Sequence, residues 1–151
     1  MSAKTLHATL VFLGDVKEHR LEALQLAAQE VNGSAFQLAF DVARYWGHNH
    51  IVYAAASSVP THLLQLVEEL EQSLIKHRFR FEKRPYKPHL TLLRHAKCSD
   101  VAMPAMSQVI WQVKDFVLVQ SAPDENGANY QVLARFALSK HLRRDASQFG
   151  I

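Results

Sequence analysis

Apolar and polar residues alternate along several short segments of the chain, which is the pattern of β-strands with one buried face. The clearest case is residues 36–43, where Phe36, Leu38, Phe40 and Val42 alternate with smaller or polar residues. The apolar segment 51–56 follows the turn-like sequence GHNH, so we predict that it returns as the second strand of a hairpin. By the same reasoning the chain is predicted to contain strands at 6–13, 36–43, 51–56, 89–93, 110–121 and 130–138.

Two other segments repeat apolar residues every three or four positions, which is typical of amphipathic helices. In the first, the shared face is formed by Leu21, Leu24, Ala28 and Val31. Asp15 and Glu18 are predicted to cap this helix, and Asn32-Gly33 to end it. In the second, which follows Pro60, the shared face is formed by Leu63, Val67, Leu70 and Leu74. Pro85 and Pro88 exclude a helix just before the strand at 89–93.

The strands at 6–13 and 89–93 carry the same polar pattern, a histidine followed two residues later by a threonine. It occurs as "LHATLVFLG" and as "RPYKPHLTLLR". Each strand leads through a connector into a predicted hairpin, which indicates a duplicated unit. We therefore predict an α+β fold of two lobes related by pseudo-twofold symmetry, with antiparallel sheets, outer helices and a central cleft. Residues 1–138 are predicted to form this single two-lobed domain, and 139–151 a polar, basic tail.

Composition narrows the class of protein without identifying it. Hydrophobic residues make up 48% of the 151 residues and charged residues 21%, as in ordinary soluble domains. The net charge of +3 suits an anionic ligand but is too small to indicate nucleic-acid binding by itself. The single cysteine, Cys98, excludes an intrachain disulfide and a cysteine-rich zinc site. No apolar stretch is long enough to cross a bilayer, so we expect no membrane partner and a cytoplasmic location.

The spacing within the two H-x-T patterns matters for chemistry. Residues two apart on a strand project from one face, roughly 6–7 Å apart, so Thr9 is predicted beside His7 and Thr91 beside His89. If the lobes pack symmetrically, two imidazoles and two hydroxyls face one cleft, which suits a tetrahedral anion. Hydroxyls donate hydrogen bonds to phosphoryl oxygens, and imidazoles, with a reference pKa of about 6.5, can divide general acid and general base between them.

The histidines also allow interpretations other than an acid–base pair. A lone histidine on an apolar strand is more often a hydrogen-bonded core residue, but two copies at matching points of a repeat favour a functional pair. His48 and His50 in GHNH are candidate metal ligands, yet two ligands in a turn do not complete a site. The acidic residues show no paired spacing, so a two-carboxylate mechanism has no support.

The two motif blocks resemble those of the 2H phosphoesterase superfamily, which is named for two H-x-[ST]-x motifs, here residues 7–10 and 89–92. Within it, the chain is most similar to the bacterial RNA 2′,3′-cyclic phosphodiesterases, also known as 2′–5′ RNA ligases, up to about Leu138. The resemblance implies a reaction without metal or cofactor on RNA ends or nucleotides. A 2′,3′-cyclic phosphate is opened to a 2′-phosphate, and some members reversibly join 2′–5′ linkages.

The resemblance also implies roles for individual residues. His7 would be the general acid on the departing 3′ oxygen, and His89 would activate water. Thr9 and Thr91 would hold the phosphate. Function nevertheless has two open alternatives: an RNA-end-binding module with reduced or no catalysis, and a phosphodiesterase for another small cyclic or 2′–5′ phosphodiester.

Three further residues near the motifs are candidate substrate contacts. Arg94 would clamp the phosphate, Phe12 would line the nucleotide pocket, and Tyr86 would contact RNA beside the second motif. Strict alternation puts residues 94 and 12 on the strand faces opposite His89 and Thr9, so they join the site only where a strand ends, bulges or twists. The alternatives are a surface ion pair for Arg94 and a core position for Phe12.

Family members usually begin with a strand and a helix before the first motif, whereas His7 follows Met1 by only six residues. We therefore predict that this N-terminal strand and helix are missing here. Their loss should uncover an apolar face and leave a strand edge unpaired. Three explanations stay open: a start of the sequence that is placed too late, a natural truncation, and a homo-oligomer that compensates by covering both.

Overall fold

The computed structural model describes residues 3–97, 103, 105–125 and 127–140. These residues form two α-helices, seven β-strands and two single-turn 3₁₀-helices, Ala3–Thr5 and Glu18–Arg20. The helices are α1 (Leu21–Gln29) and α2 (Thr61–Lys76). The strands are β1 (Phe36–Phe40), β2 (Val42–Trp46), β3 (Ile51–Ala55), β4 (His89–Leu93), β5 (Val109–Val113), β6 (Asp115–Asp124) and β7 (Gly127–Ala137).

The strands pair antiparallel in three small sheets, ordered β1–β5, β2–β3–β4 and β6–β7. At the centre, β1 and β5 pair with Leu38 opposite Trp111. Beyond this pair the chain bends on each side, so that β1 continues into β2 and β5 into β6. β2 then forms a hairpin with β3, and β6 with β7. The two halves thus repeat one topology about the β1–β5 pair, which confirms the predicted α+β fold.

The strands predicted at 36–43 and 110–121 are each broken in two, at Asp41 and at Lys114. At the first break the backbone amide of Asp41 donates to the carbonyl of Ala55, and its carboxylate accepts hydrogen bonds from both the amide and the hydroxyl of Ser57. These bonds also hold the pKa of Asp41 below its usual value. The prediction of single strands was wrong because apolar residues keep alternating through each bend, although the two halves belong to different sheets.

The strand predicted at 6–13 does not form. This segment has no ladder partner among the described residues, and alternation alone cannot make a strand whose backbone groups lack a neighbour. Leu10, Val11 and Leu13 instead pack, partly buried, against the hydrophobic core. Side-chain packing rather than sheet pairing therefore positions the first motif.

The first helix begins later than predicted. It starts at Leu21, after a 3₁₀ turn, and no side chain caps either element. Lys17, just before the turn, has an extended backbone with ψ of 139°. Asp15 therefore lies outside the first turn, and the capping box predicted with Glu18 is wrong. The second helix begins directly after Pro60, as predicted. Within the described residues no helix is long and apolar enough to span a membrane.

One hydrophobic core serves both halves. Its most completely buried large side chains lie on β1 and α2: Leu38, Phe40, Leu63, Leu66 and Leu74. The β6–β7 hairpin joins the same cluster through Phe116 and Phe136, whose rings stack at a centroid distance of 5.0 Å. Leu90 and Leu92 of β4 pack against it as well. The core therefore links β4, which carries the second motif, with the hairpin on the other side.

Strand β5 leaves apolar side chains exposed. Val109 and Trp111 lie opposite the buried residues Phe40 and Leu38 of β1, yet they are 55% and 43% exposed. Paired residues share a sheet face, so these two side chains extend the core-facing side of β1 beyond the part that is covered. The predicted homo-oligomer and the predicted loss of an N-terminal strand and helix stay predictions.

Only the start of the predicted tail, 139–151, falls within the described residues. The amide of Ser139 donates a hydrogen bond of 2.9 Å to the carbonyl of Gly33, and its carbonyl accepts one of 2.8 Å from Ala35. Ser139 is thus tied to the segment that precedes β1, and residues 141–151 lie outside the described part of the chain.

Candidate active site

Strand β4 places His89 and Thr91 on one face of the β2–β3–β4 sheet. In the ladder with β3, His89 lies opposite Ala55 and Thr91 lies opposite Tyr53. Both motif residues are half-buried. The second motif thus has the geometry that its two-residue spacing predicts, with the imidazole and the hydroxyl on the same side.

The register of β4 shifts just before Arg94. Thr91 and Leu93 lie opposite consecutive residues of β3, so Leu92 is the extra residue of a β-bulge or irregularity. β4 ends at Leu93, so strand alternation does not set the direction of the Arg94 side chain. The objection from strict alternation therefore does not exclude Arg94 from the site of His89 and Thr91.

Arg94 is available to a ligand. Its side chain is exposed and forms no ion pair or side-chain hydrogen bond with a described residue. The surface ion pair, which is the alternative role of Arg94, is not formed within the described part of the chain.

The first motif lies against the β6–β7 hairpin. His7 contacts Tyr130 of β7, with 4.8 Å between ring centroids and 57° between ring planes. His7 and Thr9 are both exposed. Tyr130 lies opposite Ser121 and two residues from Val132, on the hairpin face that is turned away from Phe116 and Phe136.

The two motif histidines share one local geometry. Nδ1 of His7 lies 2.8 Å from the carbonyl oxygen of Thr5, and Nδ1 of His89 lies 3.0 Å from the carbonyl oxygen of Lys87. A carbonyl oxygen only accepts hydrogen bonds, so each Nδ1 carries a proton and donates it to the residue two positions upstream. Each ring is thereby oriented, and its Nε2 is left for chemistry.

Sequence reasoning missed the aromatic neighbours of the histidines. His89 contacts the rings of Trp46 and Tyr53 at centroid distances of 5.1 and 5.9 Å, and Tyr130 plays the corresponding part for His7. The alternation in 51–56 contained the signal, because it turns Tyr53 away from the core while its neighbours Val52 and Ala54 are buried. What the sequence did not contain was the pairing of β3 with β4.

Phe12 and Tyr86 have opposite surroundings. Phe12 is 78% exposed, so the core position considered for it is excluded. Tyr86 packs against the hydrophobic core, and its buried hydroxyl has no hydrogen-bond partner among the residues that the structure describes. Burial raises the pKa of Tyr86 to about 12. This packing favours a structural role for Tyr86 over the predicted contact with RNA.

The raised pKa of Tyr86 predicts a loss of stability in strong base. Below pH 10 the hydroxyl is protonated in both the folded and the unfolded chain, but between pH 10 and about 12 only the unfolded chain ionises. The free energy of unfolding should therefore fall over that window. Tyr86→Phe should remove this part of the fall and, by removing an unsatisfied buried hydroxyl, stabilise the protein by about 1 kcal/mol at pH 7.

Urea unfolding at several pH values measures both effects. Tyr130→Phe, at a partly exposed tyrosine, is the matched control and should follow the wild type. If Tyr86→Phe and wild type lose stability in parallel from pH 10 to 12, the buried hydroxyl is not the cause.

A metal site is not apparent among the described residues, where no group of three histidine, cysteine or acidic side chains converges. His50 makes a hydrogen bond within the turn region, where its Nδ1 lies 3.0 Å from the hydroxyl of Tyr45. That hydroxyl in turn donates to the carbonyl of Ala96. This hydrogen bond fits the interpretation of GHNH as a structured turn.

Comparison with known proteins decides the family. The model of the 2′-5′ RNA ligase superfamily matches residues 1–125, a range that includes both motifs and Arg94. The chain belongs to this superfamily. The resemblance to the 2H phosphoesterases that the two motifs indicated is thereby confirmed.

Relatives within the superfamily match over most of their length. The RNA 2′,3′-cyclic phosphodiesterase of Escherichia coli strain K12 is 31% identical over 140 residues, which cover 93% of this chain and 80% of the relative. The crystal structure of E. coli LigT in apo form has a TM-score of 0.81 at 30% identity, covering 92% of this chain and 79% of that one. The structure of E. coli LigT complexed with 3′-AMP has a TM-score of 0.79 at 31% identity, with coverage of 91% and 79%.

Proposed function

We propose that this chain hydrolyses the 2′,3′-cyclic phosphate of RNA ends or nucleotides to a 2′-phosphate, with His7 and His89 as an acid–base pair. The observation that supports the proposal most is the matching hydrogen bond of the two rings. Each Nδ1 donates to a carbonyl oxygen, and each Nε2 is left available. The activity for which the E. coli relative is named, RNA 2′,3′-cyclic phosphodiesterase, supports the substrate class. The 3′-AMP complex of LigT supports a nucleotide site in this fold.

His89 acts as the general base. With its proton held on Nδ1 by the Lys87 carbonyl, the neutral ring presents the lone pair of Nε2 to a water molecule. That nitrogen takes a proton from the water as its oxygen bonds to the phosphorus. The half-buried position of His89 on a paired strand fixes the direction of attack.

His7 acts in the same step as the general acid. Its Nδ1 proton is engaged by the Thr5 carbonyl, so the proton delivered to the leaving group comes from Nε2 of the protonated ring. The bond from phosphorus to the 3′ oxygen breaks, the 3′ oxygen receives that proton, and a 2′-phosphate remains. The step ends with His89 protonated and His7 neutral, and proton exchange with water restores both.

The phosphate is held by donors from both motifs. The hydroxyls of Thr9 and Thr91 donate to its oxygens, and Arg94 adds charge-assisted hydrogen bonds as negative charge develops in the transition state. The exposed ring of Phe12 offers an apolar surface to the nucleoside. None of these groups requires a metal, so we expect the reaction to proceed in the presence of a chelator.

The same arrangement accepts the 5′-hydroxyl of a second RNA in place of water. His89 would then deprotonate that hydroxyl, and the product would carry a 2′–5′ linkage and a free 3′-hydroxyl. Since each step is reversible, the chain would also cleave such linkages. Which direction prevails depends on the concentrations of water and RNA ends, and hydrolysis is favoured in dilute solution.

A substrate panel tests the proposed function. The purified protein with EDTA is incubated with adenosine 2′,3′-cyclic phosphate, an RNA ending in 2′,3′-cyclic phosphate, and a 2′–5′ dinucleotide. We expect 2′-phosphate products from the first two. Tight binding without turnover would instead favour the RNA-end-binding module, and turnover confined to the 2′–5′ dinucleotide would favour the other phosphodiesterase; either result contradicts the proposal.

Arg94→Met is predicted to lower kcat/KM for the cyclic phosphate by about 10- to 100-fold, because hydrogen bonds to a charged group contribute about 1.5–3 kcal/mol. Arg94→Lys, which keeps the charge but not the two-pronged contact, should recover only part of the loss. Steady-state kinetics measure the effect. Arg80→Met, at an exposed arginine of the α2–β4 connector, is the matched control. Equal activities of Arg94→Met and this control would exclude the clamp.

A further inference from the structure

The face of the β2–β3–β4 sheet that carries the second motif also carries residues to which the proposed reaction assigns no role. Thr91 of β4 lies opposite Tyr53 of β3, and Tyr53 lies opposite Arg44 of β2. Residues paired directly across antiparallel strands share a face. Thr91, Tyr53 and Arg44 therefore form one row across the sheet, on the side of His89.

An aromatic stack lies on this row beside His89. Trp46, two residues from Arg44 and thus on its face, stacks on Tyr53 with 4.0 Å between ring centroids and 30° between planes. The edge contact between Trp46 and His89 brings this stack to the border of the reacting centre. The indole is half-buried, and its accessible part offers a stacking surface to a base next to the phosphate.

Arg44 is an exposed cation on β2, at the edge of this sheet. It has no ion pair with any other residue in the described ranges. It lies two strand spacings, about 10 Å, from Thr91. Across the face the order is therefore phosphate-holding threonine, aromatic stack, arginine. A nucleotide that ends in a cyclic phosphate has the same order: reacting phosphate, base and ribose, then the 5′-phosphate.

We propose that Arg44 binds the 5′-phosphate group of the terminal nucleotide while Trp46 stacks on its base, so that the preferred substrate carries a 5′-phosphate or phosphodiester. The inference rests on the proposed function for the position of the reacting phosphate. It adds a specificity-determining residue and names the substrate as an RNA end rather than a bare nucleoside cyclic phosphate.

Two substrates that differ only in the 5′-phosphate isolate the role of Arg44. The ratio of kcat/KM for 5′-phosphorylated adenosine 2′,3′-cyclic phosphate to that for adenosine 2′,3′-cyclic phosphate is expected to be about 10 or more in the wild type, as for one charged contact. Arg44→Met should bring the ratio to about 1, while Arg80→Met should leave it unchanged. A ratio near 1 in the wild type, or the same fall in both variants, would overturn the proposal.

Salt gives a second readout that a merely structural role would not move. Added salt screens the attraction between an exposed guanidinium and a phosphate. The wild-type ratio should therefore fall as the salt concentration rises, and the Arg44→Met ratio should not depend on salt. A salt-independent wild-type ratio would contradict the proposed contact.

Binding of the products separates this proposal from the proposed reaction. In a Trp111→Phe background Trp46 is the sole tryptophan, and its fluorescence should be quenched by adenosine 2′-phosphate and by adenosine 2′,5′-bisphosphate. The bisphosphate should bind about tenfold more tightly, and Arg44→Met should abolish the difference. If no substrate is turned over but this difference is found, the reaction fails and the subsite stands. Equal affinities, or no quenching, would refute the subsite even in an active enzyme.

Discussion

Replacing either His7 or His89 by alanine is expected to lower kcat for a 2′,3′-cyclic phosphate by about 10²–10⁴-fold, the range for loss of a general acid or base. Each ring is held by its own hydrogen bond at Nδ1. Each alanine variant therefore removes one Nε2 and leaves the other in place. Because both groups act in one step, the double variant should be only slightly slower than the poorer single variant. Single-turnover rates in EDTA measure the chemical step directly.

His48→Ala is the matched control, since His48 is exposed in the turn between β2 and β3. It should retain wild-type kcat, and all variants should keep the wild-type circular dichroism spectrum. An alanine variant of either motif histidine with near wild-type turnover would refute the acid–base pair.

Phe40→Ala is expected to reduce the free energy of unfolding by about 3–5 kcal/mol. Phe40 is the last residue of β1 before the bend and is only 1% exposed, so its truncation removes apolar contacts and leaves a cavity in the core shared by both halves. A loss of this size is a large part of the 5–15 kcal/mol that stabilises a typical domain. Urea denaturation followed by circular dichroism measures it.

Phe12→Ala provides the matched comparison for the same chemical change. Its ring is 78% exposed, so the stability should change by less than about 0.5 kcal/mol, while the KM for a nucleotide substrate should rise. The two phenylalanines thus separate a packing role from a binding role. Similar losses of stability in both variants would contradict the assignment of Phe40 to the core and Phe12 to the surface.

Much of the site could be predicted because its chemistry is local in sequence. The H-x-T spacing places His89 and Thr91 on one strand face, and the carbonyls that orient the two rings belong to Thr5 and Lys87, two residues upstream of each. The second helix and the hairpins also followed from local periodicity and turn residues. Such features depend on neighbours within a few positions, so a single sequence contains their full description.

Most of the wrong predictions concern contacts between distant segments, and the helix cap at Asp15 is the local exception. The strand at 6–13 alternates correctly but has no ladder partner in the described ranges. β1 and β2 separate at Asp41 because they pair with β5 and with β3, two strands far apart in sequence. In both cases the outcome depends on which remote strand is within hydrogen-bonding distance. The predicted RNA contact of Tyr86, whose ring packs against the core, stays a prediction.

The sequence by itself determined the two motifs, the family to which they point and the alternation that makes a strand of β4. Only the tertiary structure decided that strict alternation does not extend to Arg94, because the register shift at Leu92 arises in the pairing of β4 with β3 and β4 ends at Leu93. It likewise decided that Trp46 and Tyr53 surround His89. The identity of a side chain and its spacing from near neighbours are properties of the sequence. The sheet face on which it lies and the residues that surround it are set by backbone hydrogen bonds and packing between strands far apart in sequence.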